Sequence, residues 1–226
     1  MSLTVGRGPL SDDRAGSLNF EPPAHVVFSE PLGRRVRAVR HGQTVIDSDD
    51  AKLVHETGQL PRYAFPAKHV DLDGEPAQGL DDHVVVAWDA ADAWFEEDER
   101  VLVHPRDPYH RVDTFATSRR IDVRLRGMPL ASSTRATALY ETGLPVRYYL
   151  PRADVRMDLL QPSATVTECP YKGTARHWSA VIEGEVVEDI AWSYEHDIRR
   201  EGEAVRDLVC FYDTKAEIDV DADRAA

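Results

Sequence analysis

Two stretches of this chain are one segment written twice. RRVRAVRHGQTVIDSDDAKLVHETGQLPRYAFPAKHV begins at Arg34 and RRIDVRLRGMPLASSTRATALYETGLPVRYYLPRADV begins at Arg119. At a constant offset of 85 the pairs Gly42/Gly127, Ser48/Ser133, Glu56/Glu141, Gly58/Gly143, Arg62/Arg147, Tyr63/Tyr148 and Pro66/Pro151 coincide without a gap. About a third of the aligned positions are identical, where composition alone would give about two or three. A length of 226 residues admits one large domain or two of about 100 residues. The duplication selects two.

Each copy reads as mainly β, a β-rich α+β unit. RVRAVR and RIDVRLR alternate, a Gly-centred turn follows, and a short apolar run completes a hairpin. Ser48 and Ser133 then stand where an N-cap opens a short helix of about two turns, with Gly58 and Gly143 in the left-handed position that ends one. An extended strand follows in each copy, Arg62 to Pro66 and Arg147 to Pro151. Farther on, AWFEED from Ala93 matches AWSYEHD from Ala191, which puts Trp94 in the place of Trp192. On that match the first copy lacks roughly a dozen residues, corresponding to SATVTECPYKGTARHWSAVIEG. The expected organisation is a flexible start over 1–19, a first domain over 20–113, a second over 114–221 and a loose tail over 222–226. His104, Asp107, Tyr109 and His110, interleaved with Pro105 and Pro108, read as a rigid junction.

A formal net charge of -13 opposes extended contact with nucleic-acid phosphates, which draw their affinity from clustered Lys and Arg. No run approaches the ~20 apolar residues of a membrane span, and the start has no apolar signal core, so a cytoplasmic chain with no membrane partner is expected. Two cysteines, Cys169 and Cys210, are too few for a disulfide scaffold or a four-cysteine zinc site. GxSxG, Walker, GxGxxG and HExxH patterns are absent, and nothing in the sequence names a cofactor.

The densest chemistry lies at Cys169-Pro-Tyr-Lys-Gly173, between the strand-like runs TVTE and TARHWSAVI. Pro170 and Gly173 bracket Tyr171 and Lys172 in a tight turn that would project both side chains. Such a turn needs no chemistry to explain it. Yet Lys172 is one of four lysines in an arginine-rich chain, beside one of two cysteines. A desolvated lysine serves as base, imine former or anion clamp, and a nearby cation lowers a thiol pKa, so Cys169 and Lys172 are the catalytic candidates. Alternation after the turn puts His177 on one strand face and Trp178 with Ile182 on the other, the latter pair in the core. Arg147 has two readings: a structural ion pair with Glu141, as Arg62 with Glu56, or a fork for a carboxylate or phosphate ligand. Tyr148 lies beside it, and Trp192 and Tyr194 share a strand face as core or pocket wall. Tyr171, His177, Arg147, Tyr148, Trp192 and Tyr194 are the ligand-binding candidates. No spacing supports a metal site.

At CPYKGTARHWS, AWSY and ETGLPVRYYLP the sequence resembles the bacterial and fungal domain-of-unknown-function family 427, in a tandem two-copy form. The resemblance covers nearly the whole chain after about residue 20, and the run from Thr165 to Ser179 carries it. It implies a small β-tent or Mss4-like fold and no established activity. The nucleotidyltransferase label attached to the family implies a Gly-Ser loop before a metal-binding Asp-x-Asp strand. Asp71-Leu-Asp73 and Asp219-Val-Asp221 have only the bare spacing. Two functional readings therefore stand: a small-molecule site for an anionic metabolite in the second copy, catalytic or not, or a non-catalytic interaction module using an exposed apolar patch.

Overall fold

Alternating apolar and charged residues make short strands throughout the computed structural model, which describes residues 3–182 and 184–221. The tail expected over 222–226 lies outside the described residues. The first copy contributes β1 (Val27–Pro31), β2 (Val36–Arg40), β3 (Gln43–Ser48), β4 (Lys52–Glu56), β5 (Gln59–Pro66), β6 (Glu75–Pro76), β7 (His83–Val85), β8 (Ala93–Glu96) and β9 (Glu99–Val101). They form two sheets, ordered β1-β4-β5-β7-β6 and β3-β2-β8-β9. Val36, Ala38 and Trp94 from one sheet meet Leu53, Tyr63 and Phe65 from the other in a single buried core.

The second copy contributes β10 (Val112–Thr117), β11 (Ile121–Leu125), β12 (Met128–Ser133), β13 (Ala136–Glu141), β14 (Arg147–Leu150), β15 (Leu160–Cys169), β16 (Gly173–Ile182), β17 (Glu185–Ile198), β18 (Val209–Phe211) and β19 (Glu217–Val220). Its sheets are ordered β10-β13-β14-β18-β17-β16-β15 and β12-β11-β19. Ile121, Val123 and Leu130 pack against Leu150, Trp178, Ile190 and Phe211 between them. The chain thus divides into two units, residues up to Arg111 with Thr142–Leu144, and Val112–Glu141 with the residues from Pro145 on.

The duplication persists in the hydrogen-bond register. Val27 faces Glu56 as Val112 faces Glu141, and the bridges Ile46 to Val70 and Ala131 to Val155 are again 85 residues apart. A bulge follows Ala38 in one copy and Val123 in the other. The first hairpin turns also agree: His41 and Gly42 have φ of 52° and 77°, Arg126 and Gly127 have 52° and 80°. Two successive positive φ values give the turn whose twist matches paired strands.

Three expectations need correction. The short helices after Ser48 and Ser133 do not form; β4 and β13 occupy those stretches. Each serine hydroxyl accepts the backbone N–H two residues on, at Asp50 and Arg135, and also meets a side chain, His69 or Asp154. That bond turns the chain between two strands instead of starting a helix.

Second, Trp94 is not the counterpart of Trp192. Trp94 lies on β8 opposite Ala38 of β2, and the equivalent place opposite Val123 of β11 belongs to Ile218 of β19. The insertion is correspondingly larger. Equivalent residues differ by 85 at Ala64 and Tyr149, but by 125 at their partners Val85 and Cys210, so 40 residues have been added between them. They add β15 and β16 and lengthen β17, whose place beside β18 is held in the first copy by the two-residue β6 beside β7.

Third, the segment from His104 is no simple spacer. Asp107 is buried, with Oδ2 3.6 Å from Nδ1 of the fully buried His55, whose Nε2 lies 3.1 Å from Glu30. Before β1, Thr4 is buried and its carbonyl accepts the Gly58 N–H at 3.0 Å.

Candidate functional site

The inserted meander lengthens the larger sheet of the second unit and gives it a second working face. β15 and β16 pair Cys169 with Gly173, leaving Pro170, Tyr171 and Lys172 as the connecting loop. The turn read from CPYKG is therefore present. Its side chains do not project, however: Tyr171 and Lys172 are both buried. The loop is clamped against the 3-10 turn Arg200–Val205. Arg199 N–H donates to the Lys172 carbonyl at 3.1 Å, and a Cβ on Gly202 would fall 2.5 Å from that same oxygen.

Strand alternation sorts the candidates. Leu139, Tyr149, Ala175, Trp192, Tyr194 and Cys210 form one buried cluster on the face away from the main core, with Tyr212 packed against it. His177 joins them, its ring stacked on Tyr212 at 6.0 Å and its Nε2 3.0 Å from Thr167 Oγ1. Glu141 continues the Leu139 side of β13, Arg147 the Tyr149 side of β14, and Cys169 the Thr167 side of β15. Arg147 lies 5.8 Å from the Trp192 ring. Lys172 reaches Glu141. Tyr148 points the other way, into the main core with Trp178 and Ile182.

Both cations on this face are already neutralised. Lys172 Nζ and Glu141 form an ion pair with side chains only 8% and 7% exposed. Arg147 donates to Asp213 at 2.8 Å and holds that carboxyl below the usual range. The pairing expected of Arg147 with Glu141 is thus replaced: Arg62 does bond Glu56 in the first copy, but in the second Lys172 has taken the glutamate. Cys169 is half-buried with a free thiol at the end of β15.

Burial dominates the electrostatics of the remaining groups. It raises the Tyr149 and Tyr194 hydroxyls well above the phenol range and pushes the Cys210 thiol up. These groups stay protonated near neutral pH. Burial likewise lowers the His177 pKa, against the attraction of Asp189 and with the repulsion of Lys215. Trp192 Nε1 donates to the Tyr149 hydroxyl at 3.1 Å. One polar tip on this face has no such partner among the described residues: Nδ1 of His177, a residue 3% exposed. Buried polar atoms left unpaired are uncommon and require explanation.

Sequence reasoning missed Glu141 as the lysine partner, Asp213, Tyr149 and Tyr212. Tyr149 follows from alternation with Arg147 once the strand is fixed. Glu141 and Asp213 depend on long-range packing and leave no local signal. The Asp-x-Asp pair on β19 faces surface arginines, Asp219 at 3.9 Å from Arg124 and Asp221 at 3.8 Å from Arg119.

In the first copy the same face carries a small aliphatic cluster and no aromatic ring among the described residues. Val54, Ala64 and Val85 replace Leu139, Tyr149 and Cys210, and the two-residue β6 stands in the place of the long β17, with no counterpart of β16 and β15 beyond it among the described residues. The molecule is therefore a tandem of two homologous β-sheet units, one of them elaborated. In agreement, the model of the domain-of-unknown-function family 427, which carries the label NTP_transf_9, matches residues 29–95 and 113–222, and the chain belongs to that family. The first match ends within β8 and the second one residue beyond the described end, just past β19, the two strands equivalent by register. No curated protein matches the chain. No helix among the described residues is long and apolar enough to cross a membrane.

Proposed function

We propose that the second unit is a small-molecule-binding domain whose site is the face built by β14, β18, β17, β16 and β15, and that its ligand is a polar metabolite with an anionic end. The observation that carries this reading is the unpartnered, buried His177 Nδ1 on an aromatic face that the first copy lacks. A ligand supplying a polar group to His177 would satisfy it. Its carboxylate or phosphate takes the Arg147 fork from Asp213, whose side chain is 47% exposed and free to swing into solvent.

Lys172 acts in this reading as a strut. A protonated amine paired to a buried carboxylate is neither nucleophile nor base, so binding is favoured over imine chemistry. A thermal-shift screen against nucleotides, sugar phosphates, coenzyme A thioesters and small carboxylates tests the proposal. A ligand at a hundredfold excess over Kd stabilises by about 2.7 kcal/mol. Its effect should vanish in His177→Phe and Arg147→Gln, and a hit indifferent to both variants would place binding elsewhere.

One observation favours the interaction-module reading. Phe115 and Tyr140, 59% and 46% exposed, pair edge-to-face at 5.8 Å on the second unit. A pull-down lost on Phe115→Ser would support it.

A further inference from the structure

An exposed aromatic face on the second unit is matched, in the first, by a face whose cover the chain itself supplies. Phe28 and Glu30 on β1 share a sheet face with His55 on β4, because Phe28 stands opposite His55 in the register and stacks on it at 5.8 Å. A turn lies over them. The Asp107 carbonyl accepts the His110 N–H at 3.1 Å, and Asp107 Oδ1 accepts the Tyr109 N–H at 2.7 Å. Asp107, Pro108 and Tyr109 thus fill the first three places of a β-turn, with Asp and Pro where such turns favour them. Proline fixes the backbone before Tyr109 and so presents that side chain. The Tyr109 ring meets His55 edge-on at 5.5 Å and Phe28 at 6.4 Å, and its hydroxyl donates to Glu30 at 3.2 Å. His55 is fully buried.

The same place in the second unit is open. An offset of 85 carries Phe28, Glu30 and His55 onto Asp113, Phe115 and Tyr140, and Asp113 stands opposite Tyr140 as Phe28 stands opposite His55. Tyr140 is 46% exposed where His55 is 0%, and Phe115 is 59% exposed. The two rings pack edge-to-face at 5.8 Å, so the aromatic surface is already formed. Its chemistry has moved in one direction. Glu30, the acceptor for the Tyr109 hydroxyl, has become Phe115, and His55, which lies 3.6 Å from the Asp107 carboxylate, has become Tyr140. A turn seated here meets ring surface where Tyr109 met a carboxylate.

From this comparison we propose that β10 and β13 form a docking face for a proline–aromatic β-turn of a partner protein, with Phe or Trp at the position Tyr109 holds in the first unit. The proposal rests on the interaction-module reading and names its partner. The turn's ring packs on Phe115 and Tyr140 as Tyr109 packs on Phe28 and His55. A tyrosine loses its advantage, because Phe115 offers no acceptor at the Glu30 place and the hydroxyl must give up water to pack there. The residue before proline needs only to close the turn, so Asp, Asn or Ser serves. Edge-to-face ring contact adds to the burial of apolar area, and a proline-fixed turn loses little freedom on binding. One docking geometry is then used twice, within the chain by the first copy and outward by the second.

The probe is the chain's own turn as a capped hexapeptide, Arg-Asp-Pro-Tyr-His-Arg, together with versions carrying Phe or Ala in place of the tyrosine. Each is titrated into the full chain while backbone amides are followed by proton–nitrogen correlation NMR. The Phe peptide should shift Phe115, Tyr140 and their strand neighbours saturably, and bind at least threefold more tightly than the Tyr peptide. The Ala peptide, of equal charge, should leave those signals still. Phe115→Ser, an exposed change, should weaken the Phe peptide at least fivefold with the rest of the spectrum unaltered. Phe115→Glu combined with Tyr140→His rebuilds the polar pair of the first unit and should reverse the preference toward Tyr. Still signals at millimolar Phe peptide, equal response to the Phe and Ala peptides, or an unreversed preference would each overturn the proposal. Dimerisation lost on Phe115→Ser, without any peptide response, would make a second copy the occupant and overturn it too. A partner captured through Phe115 but not displaced by the Phe peptide would refute the turn and leave the interaction-module reading standing.

Discussion

Replacing Lys172 by Met measures whether that lysine is a strut or a reagent. The side chain is 8% exposed and its partner Glu141 7%, so the substitution takes the ammonium away from a carboxylate buried near Tyr149 and Tyr194. Removing one member of a buried pair costs about 3–5 kcal/mol, most of it the penalty of the stranded partner. With a urea slope of about 2 kcal/mol/M, the second unit's midpoint should fall by about 1.5–2.5 M. Urea unfolding followed by near-UV circular dichroism reads this directly, because Trp178 and Trp192 lie in that unit. Lys172→Met combined with Glu141→Leu should be far less destabilised than Lys172→Met alone, since replacing both charges by apolar groups is close to neutral. A single-variant loss below about 1 kcal/mol, the value of an exposed pair, would refute the reasoning and return the Lys172 amine to the catalytic candidates.

Gly202→Ala should destabilise the second unit by about 2 kcal/mol or more, because its Cβ would meet the Lys172 carbonyl at 2.5 Å; thermal unfolding checks it. The lowered pKa of His177 has a defined sign: in the window just below the unfolded value of 6.5 the unfolded chain takes up a proton that the folded chain refuses. Stability of the second unit should therefore fall as pH drops from about 6.5 toward 5, and His177→Gln should flatten that slope in urea titrations. Val103→Gly should stabilise the first unit by about 1 kcal/mol, relief of strain exceeding the entropy that glycine adds to the unfolded chain.

Much of the fold was legible because duplication carries its own control. The Gly42 and Gly127 turns, the strands from Arg62 and Arg147, and the CPYKG hairpin all follow from patterns that two copies share or that turn chemistry demands. Alternation also placed His177, Trp192 and Tyr194 correctly against Trp178. The serine positions misled because the same hydroxyl-to-backbone bond opens a helix or turns a chain between strands, and only the pairing of β4 and β13 with their neighbours decides. AWFEED and AWSYEHD misled for a different reason: a shared word placed Trp94 beside Trp192, whereas hydrogen-bond register equates Trp94 with Ile218. The candidate site was half legible. Its residues were named, but the neutralisation of Lys172 by Glu141 and of Arg147 by Asp213 joins positions far apart in the chain and leaves no mark in local sequence.

The chain's two cysteines offer the most direct measurement. Cys169 is half-buried at the end of β15, beside the proposed site, and Cys210 is buried in its floor with its thiol pKa pushed up. The native protein should react with one equivalent of a maleimide at Cys169, and with two once unfolded. The compound that most stabilises the protein in the screen should slow the Cys169 reaction in proportion to its occupancy. A stabilising ligand that leaves the Cys169 rate unchanged would contradict the claim that the inserted meander builds a binding site.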